Sequence, residues 1–208
     1  MEKMNTLSKL KEKEREARQN LIINAARKAF GQKTYDKVSM AEIAKAAGIA
    51  KSSIYTYFVS QEELYIQIAY KDSRGFIREF KNQISKENNE IVKVAINYFL
   101  DYYILHEAQW RMITHFALHG NKDEKSVEKL NYVGRELLDL FDYIFKKLGK
   151  KENVRLLSHT LFSSLSGILI AFRNYPGRTE KERLTHMKRV GSVLENMIVS
   201  LVEKDQDN

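Results

Sequence analysis

The stretch SMAEIAKAAGIAKSSIYTYFVSQEEL, Ser39 to Leu64, decides the fold. Ser39 and Glu42 are spaced S-x-x-E, so the serine side chain can cap one orphan amide while the glutamate reaches back to another, and a helix starts here. Ile43, Ala44 and Ala47 recur at helical spacing. Gly48 follows where a left-handed turn residue is wanted, because it has no Cβ to clash. Ile49 can plug the angle between two helices, and Lys51 to Tyr57 resumes as a second helix of about two turns. Two short helices joined by a glycine turn are the grammar of a helix-turn-helix. Ser60 and Glu63 repeat S-x-x-E, so a further helix begins at once.

Outward from this motif the pattern stays helical. Leu7 to Gly31 reads as a long first helix, with an apolar stripe of Leu21, Ile22, Ala25, Ala26, Ala29 and Phe30 in its second half. Its first half is charged and reads as a basic arm that orders on DNA. Tyr35 and Val38 lie in a connector and can cover the small core. From Ser60 a helix runs without a breaker to about Ser85, a mechanical link from the small N-terminal unit to a larger C-terminal one. Further helices are expected from Asn88 and Asn89 through Tyr103, from Glu107 to His119, and from Glu124 to Leu148, where Gly149 suits a C-cap. No sustained period-2 alternation occurs, so the fold class is all-α: an N-terminal three-helix helix-turn-helix domain (residues 1–64) and a C-terminal helical bundle for regulation and dimerisation (residues 65–208).

Composition removes several function classes. The 208 residues contain no cysteine, which excludes disulfides, thiolate zinc sites and cysteine nucleophiles. Met1 to Asn20 is charged throughout and unlike a signal peptide, and no apolar run reaches the length needed to span a bilayer, so the cytoplasm is the expected compartment and no membrane partner is expected. The net charge of +8 is uneven: +6 of it lies in residues 1–61. A polyanion is therefore expected at that end, the alternative being a solvated helix face.

The last two helices, Glu152 to Asn174 and Glu180 to Val202, carry more apolar surface than a terminal hairpin needs. Thr179 and Glu182 give the second a capped start. Leu161, Leu165, Gly167, Ile168, Val190, Leu194 and Met197 are the expected contacts of a four-helix dimer, with an ordinary core hairpin as the alternative.

From Arg18 to Leu64 the sequence resembles the tetracycline-repressor-like (TetR) transcriptional regulators, in AARKAF (Ala25 to Phe30), SMAEIAKAAGIA, SSIYTYF and S-x-E-x-L. The resemblance implies an all-α homodimer whose N-terminal domains read a palindromic operator in double-stranded DNA, while a variable C-terminal domain binds a small-molecule effector. It places Ser39 and Met40 against the DNA backbone and neighbouring bases, and Lys51, Ser52, Ser53 and Thr56 on the exposed side of the recognition helix, with Ile54 and Phe58 pointing into the core. Tyr55 and Tyr57 stand where the family directs rings at phosphates; partial burial with a polar tip is the alternative. Lysine and serine can bond bases or phosphates.

Three positions depart from the family pattern. Thr34 replaces a glycine before Tyr35, Ala50 leaves the recognition helix without a side-chain cap, a loss of about 1 kcal/mol, and Gln61 replaces a phosphate-binding lysine. Lys9, Lys11, Lys13, Arg15 and Arg18 of the arm are expected to strengthen DNA binding non-specifically.

In the C-terminal domain Tyr102, Tyr103, His106, Trp110, Ile113 and Phe116 put aromatic and polar groups along helical faces, as a ligand pocket or as plain core. Arg111, His115 and His119 recur every fourth residue; without a carboxylate to complete a metal site, a solvated face is expected. No metal and no cofactor is expected. The rival reading, an enzyme or metal-binding bundle using His106, His115 or His119, has no paired carboxylates, nucleophile-base spacing or phosphate-cradling loop behind it. A DNA-bound regulator gated by a protein partner uses the same N-terminus.

Overall fold

The computed structural model describes residues 2–87, 89–119 and 124–204, with side chains for all of these except 2–5, 116–119, 124–127 and 204. Among the described residues the chain folds as nine α-helices and no strand: α1 Glu2–Gln32, α2 Met40–Ala46, α3 Lys51–Ile54, α4 Gln61–Ser85, α5 Ile91–Leu105, α6 Glu107–His119, α7 Glu124–Lys147, α8 Val154–Phe172 and α9 Glu180–Lys204.

The helices form two compact units, one of Met1–Lys71 with Ala108–Ser126 and one of Asp72–Glu107 with Val127–Asn208. This differs from the expected division at residue 64: the boundary falls inside α4, and α6 from Ala108 belongs with the helix-turn-helix.

In the first unit, α1 is one helix from Glu2 that takes in the basic arm. Its lysines, arginines and glutamates are good helix formers, and Glu14 pairs with Arg18 one turn on at 2.7 Å. Ile22, Ile23, Ala26, Ala29 and Phe30 enter the core. Leu21, expected there, is 55% exposed, and Ile23 takes its place. Thr34 sits in an extended conformation (φ −68°) and asks for no glycine, and its carbonyl accepts from the Lys37 amide at the start of a short 3-10 turn.

The second unit is a bundle in which α9 packs on α5 and α8. On α5, Ile91, Val92, Ala95, Ile96, Phe99, Leu100 and Tyr103 are buried. Gly191 of α9 is buried against them: a Cβ there would lie 2.8 Å from Leu100 Cδ1 and 3.1 Å from Ile96 Cγ2, so a glycine sets how closely the two helices approach. Gly149 closes α7 with φ +90°, its amide on Lys146 and the Lys150 amide on Phe145, which satisfies two orphan carbonyls. Buried Ser158 of α8 donates to Asp142 of α7 at 2.6 Å, and Arg155 reaches the same carboxylate at 3.0 Å. Contrary to the sequence expectation, the 19 residues of α8 are by length and mean hydropathy apolar enough to cross a membrane; here Leu161, Leu165, Ile168 and Leu169 are buried within the bundle.

Candidate nucleic-acid interface

The geometry of the reader begins with its caps. Ser39 Oγ accepts the Glu42 amide at 3.2 Å and caps α2, but the Glu42 carboxylate turns to Lys33 at 2.6 Å instead of reaching back. The reciprocal box expected here is therefore half made, whereas Thr179 and Glu182 make both halves at the start of α9. At the other end of α2, Gly48 has φ +71°, its amide bonds Lys45 and the Ile49 amide bonds Ala44. Those two bonds form the 5→2 and 6→1 pair of a left-handed helix stop, which redirects the chain into α3.

The α3 segment is shorter than its sequence suggests. One α-helical turn, Lys51–Ile54, is followed by turn-like bonds from Thr56 to Ser53 and from Tyr57 to Ile54. Ala50 provides no side-chain cap, which leaves the first amides of so short a helix without side-chain support. Ile54 and Phe58 are buried and anchor the segment, while Lys51, Ser52, Tyr55 and Thr56 are exposed and Ser53 and Tyr57 are half-buried. The Thr56 hydroxyl donates to the Ser53 carbonyl at 2.7 Å, which leaves its oxygen lone pairs outward. Met40, expected at the DNA, is only 7% exposed and anchors α2 in the core; Ser39 beside it is exposed.

Tyr57 is flanked by the arm. The Arg15 guanidinium lies 5.8 Å from its ring centroid, and Arg15 Nη2 is 3.4 Å from the Thr56 carbonyl oxygen. Hydrogen bonding and charge from Glu14, with a smaller contribution from Tyr57, push the Arg18 pKa upward. Gln61, expected to face phosphate, instead donates to the Tyr35 carbonyl at 2.9 Å and ties the connector to α4.

Residues 22–68 match the family model of bacterial regulatory proteins, tetR family. Over these residues the chain is similar to the TetR family. An HTH-type transcriptional regulator of Staphylococcus aureus (strain bovine RF122 / ET3-1) is 28% identical to this chain over 168 residues, which is 74% of this chain and 87% of that protein. Two solved structures share the fold: the fatty acid degradation regulator FadR from Bacillus halodurans (TM-score 0.69, 20% identity, 86% of this chain and 94% of that one) and the transcriptional regulator FadR from Bacillus subtilis in complex with stearoyl-CoA (TM-score 0.68, 20% identity, 84% and 96%). The matched residues take in α2, α3 and the start of α4, so the match falls on the helix-turn-helix, and the relatives are HTH-type transcriptional regulators.

The six residues nominated for a ligand do not fall in one unit. Tyr102, Tyr103 and His106 belong to the second unit, and Trp110 and Ile113 to the first; the Phe116 side chain lies outside the described residues. Phe76 packs against Tyr102 at 4.8 Å, Tyr103 at 4.9 Å and Phe99 at 5.7 Å between ring centroids, so these rings fill the space among themselves. Burial pushes the Tyr103 phenol upward. A cleft of about 610 Å³ in the second unit lies elsewhere, lined by Ile91, Lys93, Lys147, Glu195 and Val199 among others.

On the face expected to be solvated, Arg111 is exposed and His115 is half-buried, and both make contacts within the first unit. The Arg111 guanidinium donates to the Gly31 carbonyl, and the His115 ring lies 4.8 Å from Tyr35 and 5.5 Å from Tyr65. His119 falls outside the described side chains.

Of the nominated dimer contacts, Leu161, Leu165 and Ile168 are buried inside the protomer, Val190 and Leu194 are half-buried, and Gly167 and Met197 are exposed. The large apolar side chains left open on these helices are Leu156 and Ile170 of α8 and Val193, Met197, Val199 and Leu201 of α9. The sequence reading missed the first two because α8 is apolar on nearly every side.

Proposed function

We propose that this chain is a homodimeric repressor that binds a palindromic operator in the cytoplasm through one α3 segment per copy and is released by a small organic ligand. The observation that carries the DNA reading is the exposure of Lys51, Ser52, Tyr55 and Thr56 on a segment anchored by Ile54 and Phe58, within the matched residues 22–68. Lys51 suits a guanine edge or a phosphate, and the hydroxyls suit either partner.

The dimer reading rests on Leu156, Gly167 and Ile170 of α8 and Val193 and Met197 of α9. Leu156, Gly167 and Ile170 are 11 and three residues apart and Val193 and Met197 four apart, spacings that keep each set on one exposed helix face. A second copy of the same hairpin would cover both stripes in a self-complementary contact. Two readers held in this way engage successive major-groove turns about 34 to 36 Å apart.

For the ligand, the stearoyl-CoA held by the Bacillus subtilis structure makes acyl-CoA thioesters the first class to test. A ligand releases DNA only by favouring a chain conformation that reads the operator poorly. The test is a footprint of the wild-type chain on the DNA around its own coding sequence, with and without stearoyl-CoA. A symmetric protected site that disappears with the thioester and persists with free CoA is the expected result. Trp110, the only tryptophan, supplies a second readout through its fluorescence.

A further inference from the structure

The face of α1 that carries Ile22 and Ala26 into the core continues toward the N-terminus as Lys11, Arg15 and Arg18, at i, i+4 and i+7. All three are exposed. With Glu14, Thr56 and Tyr57 they line a shallow cleft of about 350 Å³ beside the end of the α3 reader. Glu14, the carboxylate of that cleft, is paired with Arg18 at 2.7 Å, which leaves the net positive charge on Lys11 and Arg15. Arg15 is already aimed: its guanidinium stands over Tyr57 and its Nη2 approaches the Thr56 carbonyl. A planar fork held on an aromatic ring loses little freedom when it binds phosphate. Lys9 and Lys13, two residues to either side of Lys11, are turned about 160° to 200° away around the helix.

We propose that Lys11, Arg15, Thr56 and Tyr57 form a second phosphate-binding surface that grips the DNA backbone beside the bases read by α3, and that Lys9 and Lys13 take no part in it. The inference rests on the DNA reading above and deepens it. Its α1 half lies before residue 22, outside the matched family region. It also replaces the diffuse basic arm expected from composition with one face of a helix.

Two charge-matched double variants separate the alternatives. K11A/R15A and K9A/K13A each remove two positive charges from the arm, and alanine preserves helix at all four positions. The probe is a duplex selected by the wild-type chain from a random-sequence library, and affinity is measured over a range of potassium chloride concentrations, with helical circular dichroism as the folding control. Loss of a phosphate contact flattens the logarithmic salt slope by about 0.9, so K11A/R15A is expected to be shallower by about 2 per bound copy while K9A/K13A keeps the wild-type slope. Arg15→Lys keeps the charge and should keep the slope while losing affinity at every salt concentration. Equal flattening in the two double variants, or flattening in neither, overturns the proposal. So does a slope in Arg15→Lys as shallow as an alanine replacement gives. A wild-type chain that selects no duplex at all would instead overturn the DNA reading itself.

Discussion

Arg111 of α6 donates a hydrogen bond from its guanidinium to the carbonyl of Gly31 in the last turn of α1. The last carbonyls of a helix have no partner within it and carry its partial negative charge, so a guanidinium there satisfies an orphan group and complements the dipole. Ala108 packs on the same place, its Cβ 3.5 Å from where a Cβ on Gly31 would stand. Next to it, His115 lies against Tyr35 and Tyr65, and burial raises the Tyr65 pKa while Arg111 pulls it back. Arg111→Ala is expected to cost about 1 kcal/mol, the scale of a charged bond discounted for exposure. Faster hydrogen exchange in the last turn of α1 would show it, and Arg111→Lys should recover only part of the protection.

The α3 reader lacks a side-chain cap at Ala50, whose extended backbone (φ −65°, ψ 144°) suits a capping residue. Ala50→Ser is expected to stabilise the segment by about 1 kcal/mol. Slower amide exchange at Ser52, without loss of DNA affinity, is the measurable result, since the Ser53 amide already donates to the Ala50 carbonyl at 2.9 Å. Unchanged exchange would mean that the first amides of α3 are already satisfied.

Ser158→Ala removes the 2.6 Å bond to Asp142, leaving a carboxylate that is 8% exposed with one fewer donor. The cost should be about 1 to 3 kcal/mol. At about 2 to 4 °C per kcal/mol for a chain of this size, calorimetry resolves it.

At the start of α9 the Glu182 carboxylate accepts from the Thr179 amide at 2.7 Å and from its hydroxyl at 2.8 Å. The backbone bond first, then the hydroxyl, holds its pKa below the ordinary 4.5. A depressed carboxylate pKa contributes stability that is complete above the ordinary value and lost as the pH falls through the lowered one. The melting-temperature difference between wild type and Glu182→Gln is therefore expected to be present at neutral pH and to close in acid. A difference that stays constant across that range would assign it to something other than the charge.

Much of the fold was legible because helix periodicity is a local property. The seven buried residues of α5 are those its period picks out, and Gly48 occupies the left-handed position its place in the motif demands. Which neighbour covers which face is a tertiary matter, and there the sequence misleads. On α1 it favours Leu21 over Ile23, apolar residues two steps apart with Ile22 between them. On α8 apolar groups ring the helix, so nothing local says that Leu161 and Leu165 go inward while Leu156 and Ile170 stay open. Met40 looked like a contact by position in the motif, yet its apolar side chain is worth more in the core than at a phosphate. Within the DNA-reading unit α6 meets α1 through Arg111 and Gly31, residues 80 apart in sequence, and no periodicity encodes that.

Because the DNA-reading unit takes in Ala108–Ser126 as well as Met1–Lys71, it is stitched from two separate lengths of chain. Consider a hybrid made by splicing the N-terminal segment alone, Met1–Lys71, onto a foreign effector domain. For this chain such a graft would carry Tyr35 and Tyr65 away from His115 and leave the last turn of α1 without Arg111. A hybrid that keeps this reader intact must transplant α6 along with it, so the exchangeable part of this regulator is defined by contact rather than by a cut in the sequence.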